Sequence, residues 1–147
     1  MKVVIVGGGW AGSGAAMAAK NAGADEVVVL ERTDMLLGTG LVGGIMRNNG
    51  RFTATEEAIA MGANEIFETI DAHCRHKNIN FPGHEHASLY DIALIETAIR
   101  TMLINKGVEV KLQARMKDVK MDGQKIAAVV LTDGEEVTGD VFLDCTG

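Results

Sequence analysis

Val3, Val4, Ile5 and Val6 follow one another without a polar interruption, the pattern of a parallel strand covered on both faces. Glycines come next. From Trp10 to Ala24 the chain is rich in Ala, Gly, Met and Lys, which predicts a helix with small side chains lying close on a sheet, stopped by Gly23. Val27 to Leu30 repeats the buried-strand pattern and ends at Glu31, so the chain opens with strand, glycine turn, helix and strand, a βαβ unit. Residues 32 to 52 carry Gly38, Gly40, Gly43, Gly44 and Gly50 and show neither period, which predicts an ordered loop with one short helix.

Helical spacing returns beyond the loop. Thr55 is placed to cap a helix in which Ile59, Ala63, Ile66, Phe67, Ile70 and Cys74 recur on one face through about His76. A turn at Pro82-Gly83 follows. Ser88 with Asp91 then reads as a capping box for a helix with Ile92, Ile95, Ile99, Met102 and Leu103 inward, ended by Gly107. Residues 53–106 are therefore expected as a helical excursion. The tail is β-rich, with Val108 to Leu112, Ala114 to Met121, the turn signals Asp122-Gly123 and Asp133-Gly134, Ile126 to Leu131 and Glu136 to Thr138. Those signals predict an antiparallel meander over 113–139. Val141 to Asp144 is a last apolar strand, running into Cys145-Thr146-Gly147.

The 147 residues suit one domain, residues 1–147, and 47% hydrophobic with 23% charged residues is ordinary for a globular chain. A net charge of −6 with no Lys/Arg cluster argues against a nucleic-acid or anionic-membrane partner. The four apolar residues before Gly7 are too few for a signal peptide or a membrane span. Eighteen glycines beside a single proline point to tight turns and close backbone approach to a ligand, not to a linker. Two distant cysteines, Cys74 and Cys145, suggest neither a disulfide framework nor a zinc motif, and a reducing cytoplasm is the expected compartment.

Gly7, Gly9 and Gly12 spell G-x-G-x-x-G between a strand and a helix, the setting that a dinucleotide fingerprint requires. The first glycine allows the sharp turn, the second lets backbone approach a pyrophosphate, and the third lets helix and strand pack closely. The helix start then offers unpaired N–H groups and about half a positive charge to the phosphates. Glu31 falls about twenty residues beyond Gly12, where a carboxylate accepts ribose hydroxyls and repels a 2′-phosphate. These features alone do not separate FAD from NAD.

The opening from Val4 to Ala16, then Val29-Leu30-Glu31-Arg32, then Gly43-Gly44 resemble the FAD-dependent oxidoreductases related to fumarate reductase and glutathione reductase. Lys106 to Val110, the meander, and Val141 to Gly147 are similar to that family's helix, β-meander and following strand. The resemblance implies an α/β fold: a Rossmann-like parallel sheet with a β-meander and a helical insertion, forming an incomplete FAD-binding domain. It implies non-covalent FAD, with Gly7, Gly9 and Gly12 at the pyrophosphate, Trp10 and Ala11 at the helix start beside it, and Glu31 at the adenosine ribose. Arg32 would meet the adenine edge, Gly43 and Gly44 the pyrophosphate or flavin, the Met116 backbone the adenine, and Thr146 and Gly147 the cofactor's side. A companion subunit or a further segment after Gly147 would complete the FAD and substrate sites. The alternatives are a non-catalytic dinucleotide-binding subunit and an NAD-dependent enzyme on the same fold. Leu37-Gly38-Thr39-Gly40 departs from the family's adjacent glycines and leaves the course of that loop open.

Other groups invite chemistry with less support. His73, Cys74 and His76 on a helix, with His84 and His86 in the next turn, are read as a surface cluster without a metal, because Cys74 points away from the two histidines. Cys145 stands without a second cysteine nearby and is read as packing. Trp10 and Arg47 border either the flavin, a partner, or plain surface. No residue is assigned as acid, base or nucleophile.

Overall fold

The computed structural model describes residues 1–41, 43, 47–48, 59–81 and 84–147. Thr55, Pro82 and Gly83, to which the sequence assigns a cap and a turn, lie outside those residues.

Four strands form a parallel sheet in the order β10-β1-β2-β6, with β1 at Lys2–Val6, β2 at Glu26–Leu30, β6 at Val108–Lys111 and β10 at Val141–Asp144. Side chains alternate across a strand, and each face of this sheet has its own cover. Val3, Ile5, Val27, Val29 and Val108 pack with Ala16 and Met17 of α1 (Trp10–Asn21) and with Ile95, Ile99 and Leu103 of α3 (Ile95–Asn105). Val4, Val6, Val28 and Leu30 turn the other way, onto Ala114, Val129, Leu131 and Val137, with Phe142 against them. Three layers result, helices on parallel sheet on meander. Continuous β-branched runs are what this sandwiching requires, since each fully buried Val or Ile side chain contributes about 1.5–3 kcal/mol.

The meander is an antiparallel sheet of β7 (Met116–Asp122), β8 (Lys125–Leu131) and β9 (Glu136–Thr138), in that order. Its inner face comes chiefly from β8, whereas every residue of β7 is exposed.

The insertion carries helices, as expected, and also a hairpin. A wide turn at Ile59–Ala63 leads into α2 (Asn64–Ala72), where Ile66 and Ile70 are buried. The helix stops short of His76. Strands β4 (Cys74–Phe81) and β5 (His84–Tyr90) then pair antiparallel, and β3 (Arg47–Asn48) adds to the far side of β5. Ser88 pairs with Asn48 as part of β5, and α3 begins only at Ile95, so the helix does not start from Ser88 as its spacing with Asp91 predicts. The turn before α3 is made by Asp91 instead, whose Oδ1 accepts the Ala93 N–H at 2.9 Å and whose carbonyl accepts the Ile95 N–H at 2.9 Å. Ile92 lies before the helix and is exposed, not inward. Lys106 ties this layer together through Glu65 at 2.7 Å and Asn21 at 3.0 Å. No helix among the described residues is long and apolar enough to cross a membrane.

Candidate functional site

The carboxyl ends of the parallel strands finish level, with Val6 paired to Leu30 on one side and Asp144 on the other, and Leu30 paired to Lys111. The ladder extends one residue further through Gly7 N–H to Leu30 O (2.8 Å), Cys145 N–H to Val6 O (2.8 Å) and Glu31 N–H to Lys111 O (2.9 Å). This edge is where open α/β sheets bind their ligands.

Each glycine of the fingerprint meets a different constraint. Gly7 turns at φ 101°, and a Cβ there would strike the Cys145 carbonyl. A Cβ on Gly12 would overlap the Gly7 carbonyl oxygen and stand 3.0 Å from its carbon, so only a glycine lets α1 start so close to β1. Gly9 is the opposite case. Nothing lies within 4 Å of the place its Cβ would take, because that direction opens into a cleft. Gly9 is also the N-cap of α1, with no side-chain cap and no acidic residue in the first turn. The positive end of the helix thus faces open space unneutralised, as an anion site needs.

Glu31 is buried and folded inward. Its Oε2 accepts the Gly8 N–H at 2.8 Å, and its Oε1 accepts the Thr33 N–H at 2.8 Å and the Thr33 hydroxyl at 2.9 Å. A carboxylate has about four acceptor sites, so these bonds fix its orientation and leave capacity for a hydroxyl donor.

The loop whose course was open resolves into a tight wall. Leu37 adopts φ 72° with its side chain fully buried, taking a conformation that normally falls to glycine, and Gly38–Gly40 forms a short 3₁₀ turn. Leu37 N–H donates to the Gly8 carbonyl at 2.8 Å. Leu36 N–H donates to Oε1 of Glu96, a buried carboxylate on α3, at 3.2 Å. Tyr90, at the end of β5, donates its hydroxyl to the Gly40 carbonyl at 3.0 Å and packs edge-to-face on Trp10 with ring centroids 5.6 Å apart. Burial pushes the Tyr90 phenol up, and a hydrogen bond with Trp10 opposes it.

A cleft of about 740 Å³ joins these parts, a size typical of small-molecule sites. Gly7, Gly9, Trp10, Ala11, Glu31, Arg32, Gly43, Met116, Thr146 and Gly147 all line it, with Thr33, Leu37, Thr39 and Arg115. Gly12 lies behind it, and Gly44 lies outside the described residues. Asp144 ends β10 by accepting the Thr146 N–H at 3.0 Å and the Thr146 hydroxyl at 2.7 Å, bonds that hold its carboxyl below the usual range. Burial, aided by the Asp144 carboxylate, pushes the Cys145 thiol up.

The histidine region differs from its expected helix. His73 sits in the turn after α2, with Nδ1 2.9 Å from the Thr69 carbonyl, whereas Cys74 and His76 belong to β4. The side chains of Arg47, His84 and His86 lie outside the described residues, among which no group of three His, Cys, Asp or Glu is placed to hold a metal. Thr33, Tyr90 and Glu96 were missed from the sequence. Only Glu96 left a trace, as a carboxylate beside the inward Ile95 and Ile99 of a helix.

Comparison with known proteins agrees with this geometry. Among curated protein sequences none matches. Solved structures with the same fold include the Diels-Alderase PyrE3 of pyrroindomycin biosynthesis, at 23% identity and a TM-score of 0.67. Glycine oxidase from Bacillus cereus aligns at 15% identity and 0.67, and THI4 from Thermovibrio ammonificans at 19% and 0.63. Each alignment covers 99% of this chain but only 32%, 55% and 57% of those chains respectively. At such identities the likeness shows the fold alone. The sequence profile of a family described as FAD dependent oxidoreductase matches residues 2–147. With an uncapped helix start, an open approach at Gly9 and an inward carboxylate along one cleft, the chain belongs to the FAD dependent oxidoreductase family, and FAD is its cofactor.

Proposed function

We propose that the chain is the FAD-binding module of a flavoprotein oxidoreductase, and that a companion subunit or a further segment completes its flavin and substrate sites. The observation that carries this reading is one continuous cleft running from Gly9 and the α1 start to Glu31 and Met116. Bound FAD supplies the hydride or electron transfer, and the protein's part is to bind, orient and shield it. Gly7 and Gly9 would bring the backbone close to the pyrophosphate, the Gly7 N–H itself staying on the Leu30 carbonyl, with Trp10 and Ala11 at the start of the helix and Gly12 setting its approach. Glu31 would accept the adenosine ribose hydroxyls, Arg32 would border the adenine, and the Met116 backbone would face it. Gly43 and Gly44 would approach the pyrophosphate or the flavin, and Thr146 and Gly147 would lie beside the cofactor. The raised Cys145 thiol stays protonated at neutral pH, which favours packing over thiolate chemistry. The free thiol of Cys145 fits a cytoplasmic setting.

The test is to purify the chain alone and together with the products of adjacent genes. Flavin absorption bands in the purified protein, with turnover of a reduced or oxidised substrate only in the co-purified assembly, are expected. A colourless protein stabilised by NAD and not by FAD would overturn the reading. A monomer that turns over substrate unaided would remove the need for a partner.

A further inference from the structure

The wall opposite Gly9 is the turn from Leu36 to Gly40, and a Cβ on Gly38 would stand 3.6 Å from the Gly9 Cα. Leu37 makes this wall costly to hold, because a residue with a Cβ rarely adopts φ 72°. Such a conformation persists only where the surroundings over-determine it. Three hydrogen bonds do so. One comes from the fingerprint, Leu37 N–H to the Gly8 carbonyl. The other two come from the insertion and bracket the turn, Glu96 Oε1 accepting from Leu36 and Tyr90 donating to Gly40. Both side chains are buried, and no described residue between 53 and 106 lines the cleft itself.

We infer that Tyr90 and Glu96 are positioning residues: acting through Gly40 and Leu36, they hold the wall of the cofactor cleft against Gly9, so the insertion sets the shape of a site it does not line. Tyr90 does so twice over, since its ring also supports Trp10, which lines the cleft. Glu96 is itself held by Arg100 at 3.2 Å, one turn along α3. The inference rests on the FAD reading only for what fills the cleft. Because the wall lies at Gly9, beyond the Glu31 end, its loss should be felt by the whole dinucleotide more than by AMP, which carries only the adenosine and one phosphate.

The experiment uses the full 147-residue chain and the variants Tyr90→Phe, Glu96→Ala and Glu96→Gln. Affinities for FAD and for AMP are measured by the emission of Trp10, the chain's single tryptophan. Tyr90→Phe and Glu96→Ala should each weaken FAD on the order of tenfold, the loss of the buried hydrogen bond that each makes to the wall, while AMP changes less than about twofold. Glu96→Gln keeps an acceptor for the Leu36 N–H and should restore FAD affinity. Equal losses for FAD and AMP would mean general destabilisation and would overturn the inference, as would unchanged FAD affinity. Should Glu96→Ala fail to fold, Tyr90→Phe, which keeps the ring against Trp10, decides the matter. An unsubstituted chain that binds neither ligand would overturn the FAD reading first, and the inference with it.

Discussion

Adding one methyl group at Gly9 or at Gly12 should give opposite results, although the two glycines lie three residues apart in one motif. At Gly12 the new carbon would overlap the Gly7 carbonyl oxygen and sit 3.0 Å from its carbon, and both are backbone atoms with no rotamer to change. Relief requires α1 to move off β1, which places the cost at or above the upper end of overpacking, about 3 kcal/mol. For a chain of this size that corresponds to roughly 6–12 °C in melting temperature. At Gly9 nothing lies within 4 Å, and φ is −67°, so alanine meets neither a neighbour nor a strained backbone. Its only intrinsic cost is a poorer N-cap, at most about 1 kcal/mol. The methyl does enter the space where a pyrophosphate would approach. Losing one charge-assisted hydrogen bond of about 1.5–3 kcal/mol weakens binding roughly 10- to 200-fold. Calorimetric melting of FAD-free protein, paired with FAD titration, separates the effects: Gly12→Ala melts early, whereas Gly9→Ala melts normally and binds poorly. If Gly9→Ala bound FAD as the unsubstituted chain does, or Gly12→Ala melted with it, the reasoning would be refuted.

Glu31→Ala should combine both kinds of loss, because it strands the Gly8 N–H in a buried place at about 1–3 kcal/mol and removes the proposed ribose acceptor. Urea unfolding of FAD-free protein and FAD titration should both register it. Leu37→Gly should be more stable than Leu37→Ala by about 1 kcal/mol, the reverse of the usual order, since both lose the buried side chain but only glycine is at ease at φ 72°. Equal unfolding midpoints for the two would show that the left-handed turn is not retained. The lowered Asp144 carboxyl means that the turn at the end of β10 is favoured above the ordinary carboxylate pKa of about 3.9 and lost as pH falls through the lower folded value. Thr146→Val keeps the backbone donor but not the hydroxyl, so an NMR titration should find Asp144 moved up toward the ordinary value. An unmoved midpoint would discount the Thr146 hydroxyl.

The legible parts of this fold are those written in local pattern. Val3 to Val6, the glycines and Val27 to Leu30 announce a buried βαβ unit because burial on both faces demands unbroken apolar runs. Asp122-Gly123 and Asp133-Gly134 mark the meander because tight turns need those residues. Strands β4 and β5 have a turn signal between them, Pro82-Gly83, but no apolar alternation of their own. Cys74–Phe81 and His84–Tyr90 are largely polar or small, and pairing with each other and with β3 makes them strands where propensity would not. Ser88 and Asp91 have capping-box spacing, but Ser88 is committed to the sheet, so Asp91 makes the turn. The cleft's inner wall was hidden for a related reason. A buried Leu37 in a left-handed turn is stabilised by Glu96 and Tyr90, far along the chain, and no sequence window contains all three.

The central claim is that FAD occupies the cleft between Gly9 and Met116, with its adenosine at Glu31. Amide NMR spectra recorded while FAD is titrated into isotopically labelled protein test it most directly, by location as well as by stoichiometry. One FAD per chain should bind saturably, with the largest shifts at Gly7 to Gly12, at Glu31 to Thr33 and at Met116, and with the outer strand β7 beyond Asp118 unaffected. Absence of saturation, or shifts concentrated away from the fingerprint and Glu31, would contradict the account.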